Sequence, residues 1–262
     1  MSRPWNQLGA AMTLHYRALP DLTGVDLGPL PASDENSAWS QPFRATRPTA
    51  RIQVALPALD GAYAATIKRG VDLALASVAL VLMAPVLVVL AAALWIESGN
   101  PFYSQLRLGR NGRRFRMWKL RTMVRDADKQ LAECLDRDPV LRAEWDLTQK
   151  MKNDPRITPI GRLLRKTSMD ELPQIINVIK GEMSLVGPRP MLPDQMPMYR
   201  HPQAYLGLRP GLTGLWQVTA RNEESFDLRA TLDLRYAQRL SARLDLQIIA
   251  STFGVVLNAT GY

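Results

Sequence analysis

An uncharged run of 24 residues constrains this chain more than any other feature. Residues 73–96 read LALASVALVLMAPVLVVLAAALWI, and Ser77 is the run's one hydroxyl-bearing residue. A helix of this length can cross a hydrocarbon core of about 30 Å. Pro85 lies at the centre, where proline removes a helical hydrogen bond and favours a kink or a break. The run therefore predicts a membrane helix that is interrupted at Pro85, and a buried helix of a soluble core is the weakest interpretation.

Basic residues lie on both sides of this run. Lys68 and Arg69 precede it, and residues 107–125 contain eight Lys and Arg and no Asp or Glu. Positively charged flanks mark the cytoplasmic side of a membrane segment. If both flanks are cytoplasmic, the segment enters and leaves by the same face, which a break at Pro85 would allow. A kinked helix that spans the membrane is the alternative, and the sequence by itself favours it slightly.

Charge and residue usage restrict the chemistry. The formal net charge is +9, and residues 1–60 are neutral, so the excess lies in residues 61–262. This balance suits an anionic partner such as nucleic acid, a phosphorylated substrate or acidic lipid. With Cys134 as the one cysteine and only His15 and His201, a zinc or iron site is not expected. A metal, if used, should be a hard ion bound by oxygen.

The rest of the chain predicts a mainly α structure with minor β content. Residues 1–60 contain seven of the 19 prolines and no periodicity, which predicts a flexible tail. No signal peptide is expected at the start. The patterns that follow predict a strand near 114–119, charged helical character over 124–150, and helices over 160–166, about 170–180 and 228–240. Gly181 is predicted as the left-handed stop of the helix over 170–180. Residues 244–257 predict a helix of the membrane surface or, equally, of the core.

The most informative segment is RKTSMDELPQIINVIKGEMSLVGPRP, residues 165–190. Asp170 and Glu171 are adjacent carboxylates just before Pro173, which predicts a position near a helix N-terminus, where negative charge is stabilised. A simple capping role explains the pair by itself and is favoured on that evidence. Rigid turns at residues 187–190 and 209–211 each present an arginine, which suits phosphate binding.

Taken in order, the motifs resemble those of the bacterial sugar transferase family, over roughly residues 66–262. The matching stretches are KRGVDLALASVALVLMAPVLVVLAA, YSQLRLGRNGRRFRMWKLRTM, DPRITPIGRLLRKTSMDELPQIINVIKGEMSLVGPRP, RPGLTGLWQVTARN and a late DLRY segment. The family consists of monotopic polyprenyl-phosphate hexose-1-phosphate transferases of exopolysaccharide, O-antigen and glycan assembly. The resemblance is to the short, exopolysaccharide-type members, without the N-terminal four-helix membrane region of larger ones.

The resemblance implies a fold and a location. Residues 61–100 would form a re-entrant helix-break-helix with Pro85 at the break, and residues 101–262 a cytoplasmic catalytic domain with interfacial amphipathic helices. The protein would sit on the cytoplasmic face of the bacterial inner membrane. Its partners would be a UDP-sugar, undecaprenyl phosphate and membrane lipids. A homodimer is left open, and nucleic acid is not expected.

The resemblance also implies roles for individual residues. Asp170 would be the nucleophile that takes the sugar phosphate and releases UMP, with Glu171 as its partner carboxylate. Both would hold magnesium, with manganese as the alternative. Basic residues at motif positions would bind substrate phosphates; these are Lys119, Arg165, Arg189, Arg209 and Arg221.

Three departures from the family pattern leave the proposed nucleophile unchanged. Met169 stands where the motif usually has leucine, and Ala220 precedes Arg221 where glycine is usual. The usual late tryptophan-rich stretch is replaced by residues 239–243. Two alternatives stay open: a non-catalytic basic peripheral membrane protein that binds acidic lipid or nucleic acid, and a silent family member that acts as a scaffold. Neither accounts for the Asp170-Glu171 pair beside arginine-bearing proline turns.

Overall fold

The longest element is α1, Lys68–Ser98, which follows one turn of π-helix at Tyr63–Ile67. The computed structural model describes residues 61–148, 151, 154–220 and 226–257, so the predicted tail over 1–60 lies outside the described residues. Together, Tyr63–Ser98 is long and apolar enough to cross a membrane, by length and composition. Pro85 lies inside α1, which is one helix and not two. The re-entrant arrangement therefore stays a prediction.

The other elements are short, and the mainly α fold with minor β content is confirmed. In chain order they are β1 (Phe102–Leu108), β2 (Arg114–Leu120), α2 (Ala127–Arg137), α3 (Pro139–Thr148), α4 (Pro159–Thr167), α5 (Gln174–Lys180), β3 (Ser184–Val186), α6 (Pro202–Gly207), β4 (Gly211–Thr213), α7 (Leu215–Thr219), α8 (Phe226–Gln238) and α9 (Ala242–Leu257). Strands β1 and β2 form an antiparallel hairpin, and β3 and β4 pair in parallel. The helical character predicted for 124–150 is confirmed over the described residues of that range, where two helices form, α2 and α3.

The first turn of α1 is tied to α8 and α9 by a buried ion pair. Lys68 Nζ lies 2.5 Å from Asp245 Oδ2, and both side chains are almost fully buried. The hydroxyls of Tyr63 and Tyr236 donate to the same carboxylate at 2.6 Å each. Asp245 thus has three donors, which offset the cost of burying its charge.

The next turn of α1 is bonded to the segment around α5 and β3. Asp72 is buried and accepts from the Ser184 hydroxyl at 2.7 Å and from the Leu185 N–H at 3.0 Å. Arg69 donates to the carbonyls of Val178 and Ile179, which lie in the last turn of α5. The start of the apolar helix is therefore held by protein groups.

The far end of α1 contacts the same body of protein. Leu94 is fully buried against Leu120 and Leu164. The Ser98 carbonyl accepts from Arg125 Nε at 2.9 Å. Between the two ends, α1 exposes a broad apolar surface: Leu75, Val78, Val81, Leu82, Val88, Val89, Trp95 and Ile96. One side of α1 packs on the domain along its length, and the opposite side presents an apolar face.

Helix α9 also has two faces. Leu244 and Ile248 are buried in the core with α8, whereas Leu246 and Phe253 are exposed. This helix is a core helix on one side, and its placement at a membrane surface stays a prediction.

The buried ion pair at the start of α1 gives a stability prediction. Lys68→Met leaves the Asp245 charge buried without its counter-ion, so the free energy of unfolding should fall by about 3–5 kcal/mol. Chemical denaturation in detergent would measure it. Adding Asp245→Asn should recover part of the loss, because the unpaired charge is removed. Arg142→Met, at the exposed pair with Asp136, is the control and should cost less than about 1 kcal/mol. Equal losses for both lysine and arginine variants would contradict this account.

Candidate active site

Helix α4 is held against the end of β2 by Thr122. Thr158 caps α4, accepting from the Gly161 N–H at 3.0 Å, and its own N–H donates to the Thr122 carbonyl. A Cβ on Gly161 would lie 2.2 Å from that carbonyl oxygen, so only glycine permits this approach. The Thr122 hydroxyl lies 2.9 Å from Arg165 Nε. These contacts bring the last turn of α4 next to β2.

A sharp reversal follows α4 and places the two carboxylates. Ser168 ends α4 in the left-handed conformation at φ 57°, which is uncommon for a residue with a side chain. Residues Met169–Glu171 then form a single 3₁₀ turn. Asp170 is therefore not at the N-cap of the next helix, as expected from Pro173, because α5 begins only at Gln174. The predicted stop at Gly181 is confirmed, with φ 82°.

One lysine joins the two carboxylates. Lys119, in β2, places its Nζ 2.9 Å from Glu171 Oε1 and 3.3 Å from Asp170 Oδ2. Asp170 is buried, and the side chains of Lys119 and Glu171 are mostly so. In such surroundings the attraction between these charges is stronger than it would be in water. The three groups form a compact charged unit, which we call the dyad site.

Asn177 fixes the strand that carries this lysine. Its side chain is fully buried and bonds the backbone of β2 on both sides, accepting from the Trp118 N–H at 3.1 Å and donating to the Arg116 carbonyl at 2.8 Å. It also donates to Glu182 at 2.6 Å. An asparagine that uses both its donor and its acceptor in this way sets the register of β2 against α5. Lys119 is the next residue of the strand.

Burial dominates the acid–base properties of Asp170. Desolvation raises the pKa of this carboxyl group above its ordinary value, the Lys119 ammonium opposes that rise, and the neighbouring Glu171 charge adds to it. Arg165 is a further opposing charge. A carboxylate with a raised pKa is more basic and therefore a stronger nucleophile when ionised. These surroundings suit a reactive carboxylate, which is the role that the family resemblance implies for Asp170.

Two of the predicted phosphate-binding arginines lie near the dyad site. Arg165 interacts electrostatically with Asp170, and burial lowers its own pKa. Arg189 places Nη2 3.9 Å from Glu171 Oε1, and more than a third of its side chain is exposed. Together with Lys119, they give the two carboxylates a cationic surround.

The described structure places Arg209 away from the dyad site. Arg209 donates from Nε to the Gly181 carbonyl at 3.0 Å, at the far end of α5, with Arg110 and Arg69 as electrostatic neighbours. Its role in phosphate binding stays a prediction. Arg221 lies outside the described residues.

The dyad site offers some, but not all, of the oxygen ligands that a hard metal cation needs. Within the described ranges, no group of three or more His, Cys, Asp and Glu side chains could hold a metal ion. Asp170 and Glu171 offer adjacent carboxylate oxygens, and magnesium is commonly held by one or two carboxylates together with substrate phosphates and water. The residues present therefore fit an ion that arrives with a phosphorylated substrate.

A family model described as bacterial sugar transferase matches residues 63–259, which include α1, the hairpin and the dyad site. The chain belongs to the bacterial sugar transferase family. The expected membership is therefore confirmed.

Three relatives in this family illustrate the likeness. Over 196 residues, 74% of this chain, it is 46% identical to the UDP-galactose-lipid carrier transferase of Erwinia amylovora, covering 41% of that protein. It is 43% identical to the exopolysaccharide production protein ExoY of Rhizobium meliloti, covering 87%. It is 42% identical to the undecaprenyl-phosphate galactose phosphotransferase of Salmonella typhimurium, covering 41%. The matching part of the chain thus spans about two fifths of the Erwinia and Salmonella proteins and most of ExoY.

The sequence did not reveal several residues that build this family site. Asn177 looks like an ordinary polar residue of a short helix, and Thr122 like a loop residue. Arg229, buried in α8, carries no motif of its own. Gly161 gave the clearest usable signal, since a glycine inside a predicted helix indicates close packing against a neighbour.

Removing the positive charge of Lys119 and removing the negative charge of Glu171 should shift the pH dependence of activity in opposite directions. Under the role that the family resemblance implies for Asp170, an ionised carboxylate is required for attack, so kcat/KM should fall as pH drops through its raised pKa. Lys119→Met removes the opposing charge, which raises that pKa further and moves the acid limb to higher pH. Glu171→Gln removes the like charge and moves it to lower pH. Steady-state profiles of kcat/KM against pH would measure the position of the acid limb, which is independent of any loss in the maximal rate.

Arg137→Gln is a matched control, because this exposed cation of α2 pairs with Glu133. Its acid limb should coincide with that of the wild type. Movement of the Lys119 and Glu171 limbs in the same direction would count against Asp170 as the titrating group.

Proposed function

We propose that this chain is a phosphoglycosyl transferase, which moves a hexose 1-phosphate from a UDP-sugar to undecaprenyl phosphate. The observation that carries the proposal is a buried, cation-surrounded Asp170 in a domain packed along an apolar helix of membrane length. The names of the Erwinia and Salmonella relatives state galactose and a lipid carrier or undecaprenyl phosphate. UDP-galactose is therefore the first donor to test, with UDP-glucose second.

In the first half-reaction, a carboxylate oxygen of Asp170 attacks the phosphorus that bears the sugar. The bond between this phosphorus and the bridging oxygen breaks, UMP leaves with the oxygen, and a sugar-phosphoryl-aspartate forms. Carboxylates are established covalent nucleophiles in phosphoryl transfer. Burial raises the pKa of Asp170 and strengthens it as a nucleophile, while Lys119 holds it in place and favours its ionised form.

In the second half-reaction, a phosphate oxygen of the polyprenyl phosphate attacks the same phosphorus. The bond to the carboxylate oxygen breaks, which restores Asp170 and gives a polyprenyl diphosphate sugar. Phosphoryl transfer depends mainly on positioning and charge neutralisation. Lys119, Arg165 and Arg189 supply positive charge around the reacting phosphates in both steps.

A magnesium ion fits this scheme, with manganese as the alternative. Asp170 and Glu171 would hold it, and it would neutralise the charge of the donor's diphosphate. Excess EDTA should abolish transfer and magnesium should restore it. Full activity in the chelator would remove the metal from the proposal.

The packing of α1 supports a re-entrant topology on one face of the membrane. Its first turns bond to α9, β3 and α5, and its last turns contact α4 and the end of β2. A helix that crossed the bilayer would carry its ends to opposite sides, where one body of protein could not hold both. The basic flanks of α1 support a cytoplasmic position for that side, on the inner membrane.

The covalent step predicts the behaviour of a single variant. Asp170→Asn keeps the size of the side chain but cannot form the acyl phosphate, so UMP release should fall to background. Radiolabelled UDP-galactose and a membrane fraction containing undecaprenyl phosphate would measure transfer. The wild type should also retain label from the sugar on the protein when the acceptor is left out.

A matched control is Asp227→Asn, which alters an exposed carboxylate paired with Arg200. This variant should keep its transfer activity. Wild-type turnover in Asp170→Asn, with deamidation excluded, would sink the covalent mechanism. An inactive wild type across the UDP-sugars would favour a scaffold or lipid-binding role.

The topology predicts the accessibility of two engineered cysteines. In a Cys134→Ser background, cysteines at positions 62 and 100 should be labelled from the same side of the membrane. Pro85→Leu restores the backbone hydrogen bond that proline removes from the centre of α1 and should move position 62 to the periplasmic side in part of the molecules. Impermeant maleimide on spheroplasts and on inverted vesicles would measure both. Opposite-side labelling in the wild type would establish a spanning helix instead.

A further inference from the structure

Two arginines without a part in the proposed chemistry converge on the loop that presents Arg189. Arg107 belongs to β1 and Arg229 to α8, far apart in the chain. Arg229 is buried and Arg107 partly so. Burying arginine is expensive unless its donors are used. Their donors therefore indicate what these side chains hold.

Residues 188–191 form the loop, and each of their carbonyls has a donor. The first accepts from the Gly211 N–H at 2.8 Å, and the last from the Leu108 N–H at 3.0 Å. The two central carbonyls, of Arg189 and Pro190, have side-chain donors instead. Arg229 donates to the former, and Arg107 donates to the latter at 3.1 Å. Backbone groups thus hold the loop's ends, and two guanidinium groups hold its centre.

The loop's sequence explains why side chains are needed there. Pro188 and Pro190 have no N–H, so the loop has fewer donors of its own for turn hydrogen bonds. Both prolines are buried, whereas the Arg189 side chain between them is partly exposed and reaches toward Glu171. Any shift of the two central peptides therefore displaces this guanidinium relative to the dyad site.

Both supporting arginines are themselves fixed. Arg229 lies over the rings of Tyr199 and Trp216, at 5.9 and 5.8 Å from their centroids, and near the buried Asp233. Cation–π contact with two aromatic rings suits the flat, delocalised guanidinium of arginine better than the ammonium of lysine.

Arg107 is held by Gln105, whose Oε1 accepts from its Nη2 at 2.5 Å. Burial and repulsion from Arg189 and Arg229 lower the pKa of Arg107 to about 10, so it stays charged at neutral pH. Three guanidinium groups are thus kept close together despite their repulsion.

We propose that Arg107 and Arg229 are positioning residues, which hold the central carbonyls of loop 188–191 and thereby aim Arg189 at a phosphate of the nucleotide-sugar donor. This inference rests on the proposed function, in which Arg189 binds that phosphate. It identifies two residues that act through Arg189 and not by touching the substrate.

A double-mutant cycle tests this dependence. Arg229→Gln and Arg107→Gln are each made in the wild type and in an Arg189→Ala background. In the wild type each should lower kcat/KM for UDP-galactose roughly tenfold to a hundredfold, which corresponds to losing a charged hydrogen bond. In Arg189→Ala the same changes should cost less than about threefold, because the group they position is gone.

Arg69→Gln is the matched control. Arg69 also donates to two backbone carbonyls, but it does so at the end of α5. Arg69→Gln should lower kcat/KM by the same factor in the wild type and in Arg189→Ala. If Arg229→Gln and Arg107→Gln also each lower kcat/KM by the same factor in the wild type as in Arg189→Ala, the positioning role is overturned. Arg229→Lys distinguishes charge from geometry: wild-type kcat/KM in this variant would show that charge suffices, and would also overturn it.

The same double-mutant cycle can be measured on the Kd for UDP, which requires no catalytic turnover. Loss of UDP affinity that depends on Arg189 supports positioning even if no sugar transfer occurs, in which case the proposed function alone fails. Thermal unfolding in detergent identifies variants that fold like the wild type. If a glutamine variant does not, the matching lysine variant replaces it in the cycle, with the same expected dependence on Arg189.

Discussion

The rest of the structure depends on the first turns of α1. This helix is apolar enough to lie in lipid, yet it begins with charged residues that are buried within the protein. Lys68 and Asp72, in the first turns of α1, lie among groups of α9 and β3 that satisfy them. Charges of this kind could not sit unpaired in a hydrocarbon core without a large cost. The start of α1 is therefore part of the folded domain, and the apolar surface exposed further along is fixed relative to the domain's other elements.

The dyad site is positioned by the same set of contacts. Helix α5 is bonded to α1 through Arg69 at one end, and Asn177 in its middle sets the register of β2. The last turns of α1 pack on Leu164 of α4, which leads directly into the 3₁₀ turn of Asp170. Lys119 thus lies on a strand that touches α1, and Asp170 lies just after a helix that does. Under the proposed function, a lipid acceptor and an aqueous donor meet at this site, whose distance from the apolar face is set by packing.

The sequence predicted the parts of this arrangement that rest on local patterns. The apolar run, the strand near residues 114–119, α4 and the left-handed stop at Gly181 follow from composition, periodicity and glycine's conformational freedom. The break between α2 and α3 had a signal that the charge pattern obscured: Asp138 precedes Pro139, and the residue before a proline is driven out of the helical region.

The parts that could not be predicted depend on contacts between distant residues. Family motifs brought Lys119, Asp170 and Arg189 to one site, but the same reasoning placed Arg209 with them, whereas it lies at the other end of α5. A motif identifies a residue type at a position, but it does not show which residues lie next to it in the fold. Asn177 and Arg229 donate to backbone carbonyls that are distant in the chain. The sequence around a donor does not show which carbonyl it will reach.

The charged side chains near the dyad site carry an excess of positive charge. Lys119, Arg165 and Arg189 exceed the two carboxylates by one positive charge, and Arg107 and Arg229 add two more against the buried Asp233, whose pKa is raised to about 6 by burial. Repulsion among fixed cations is an energetic cost that a polyanion relieves on binding. Under the proposed function, the diphosphate of the donor supplies that negative charge, so the repulsion relieved on binding favours a diphosphate bound beside Asp170.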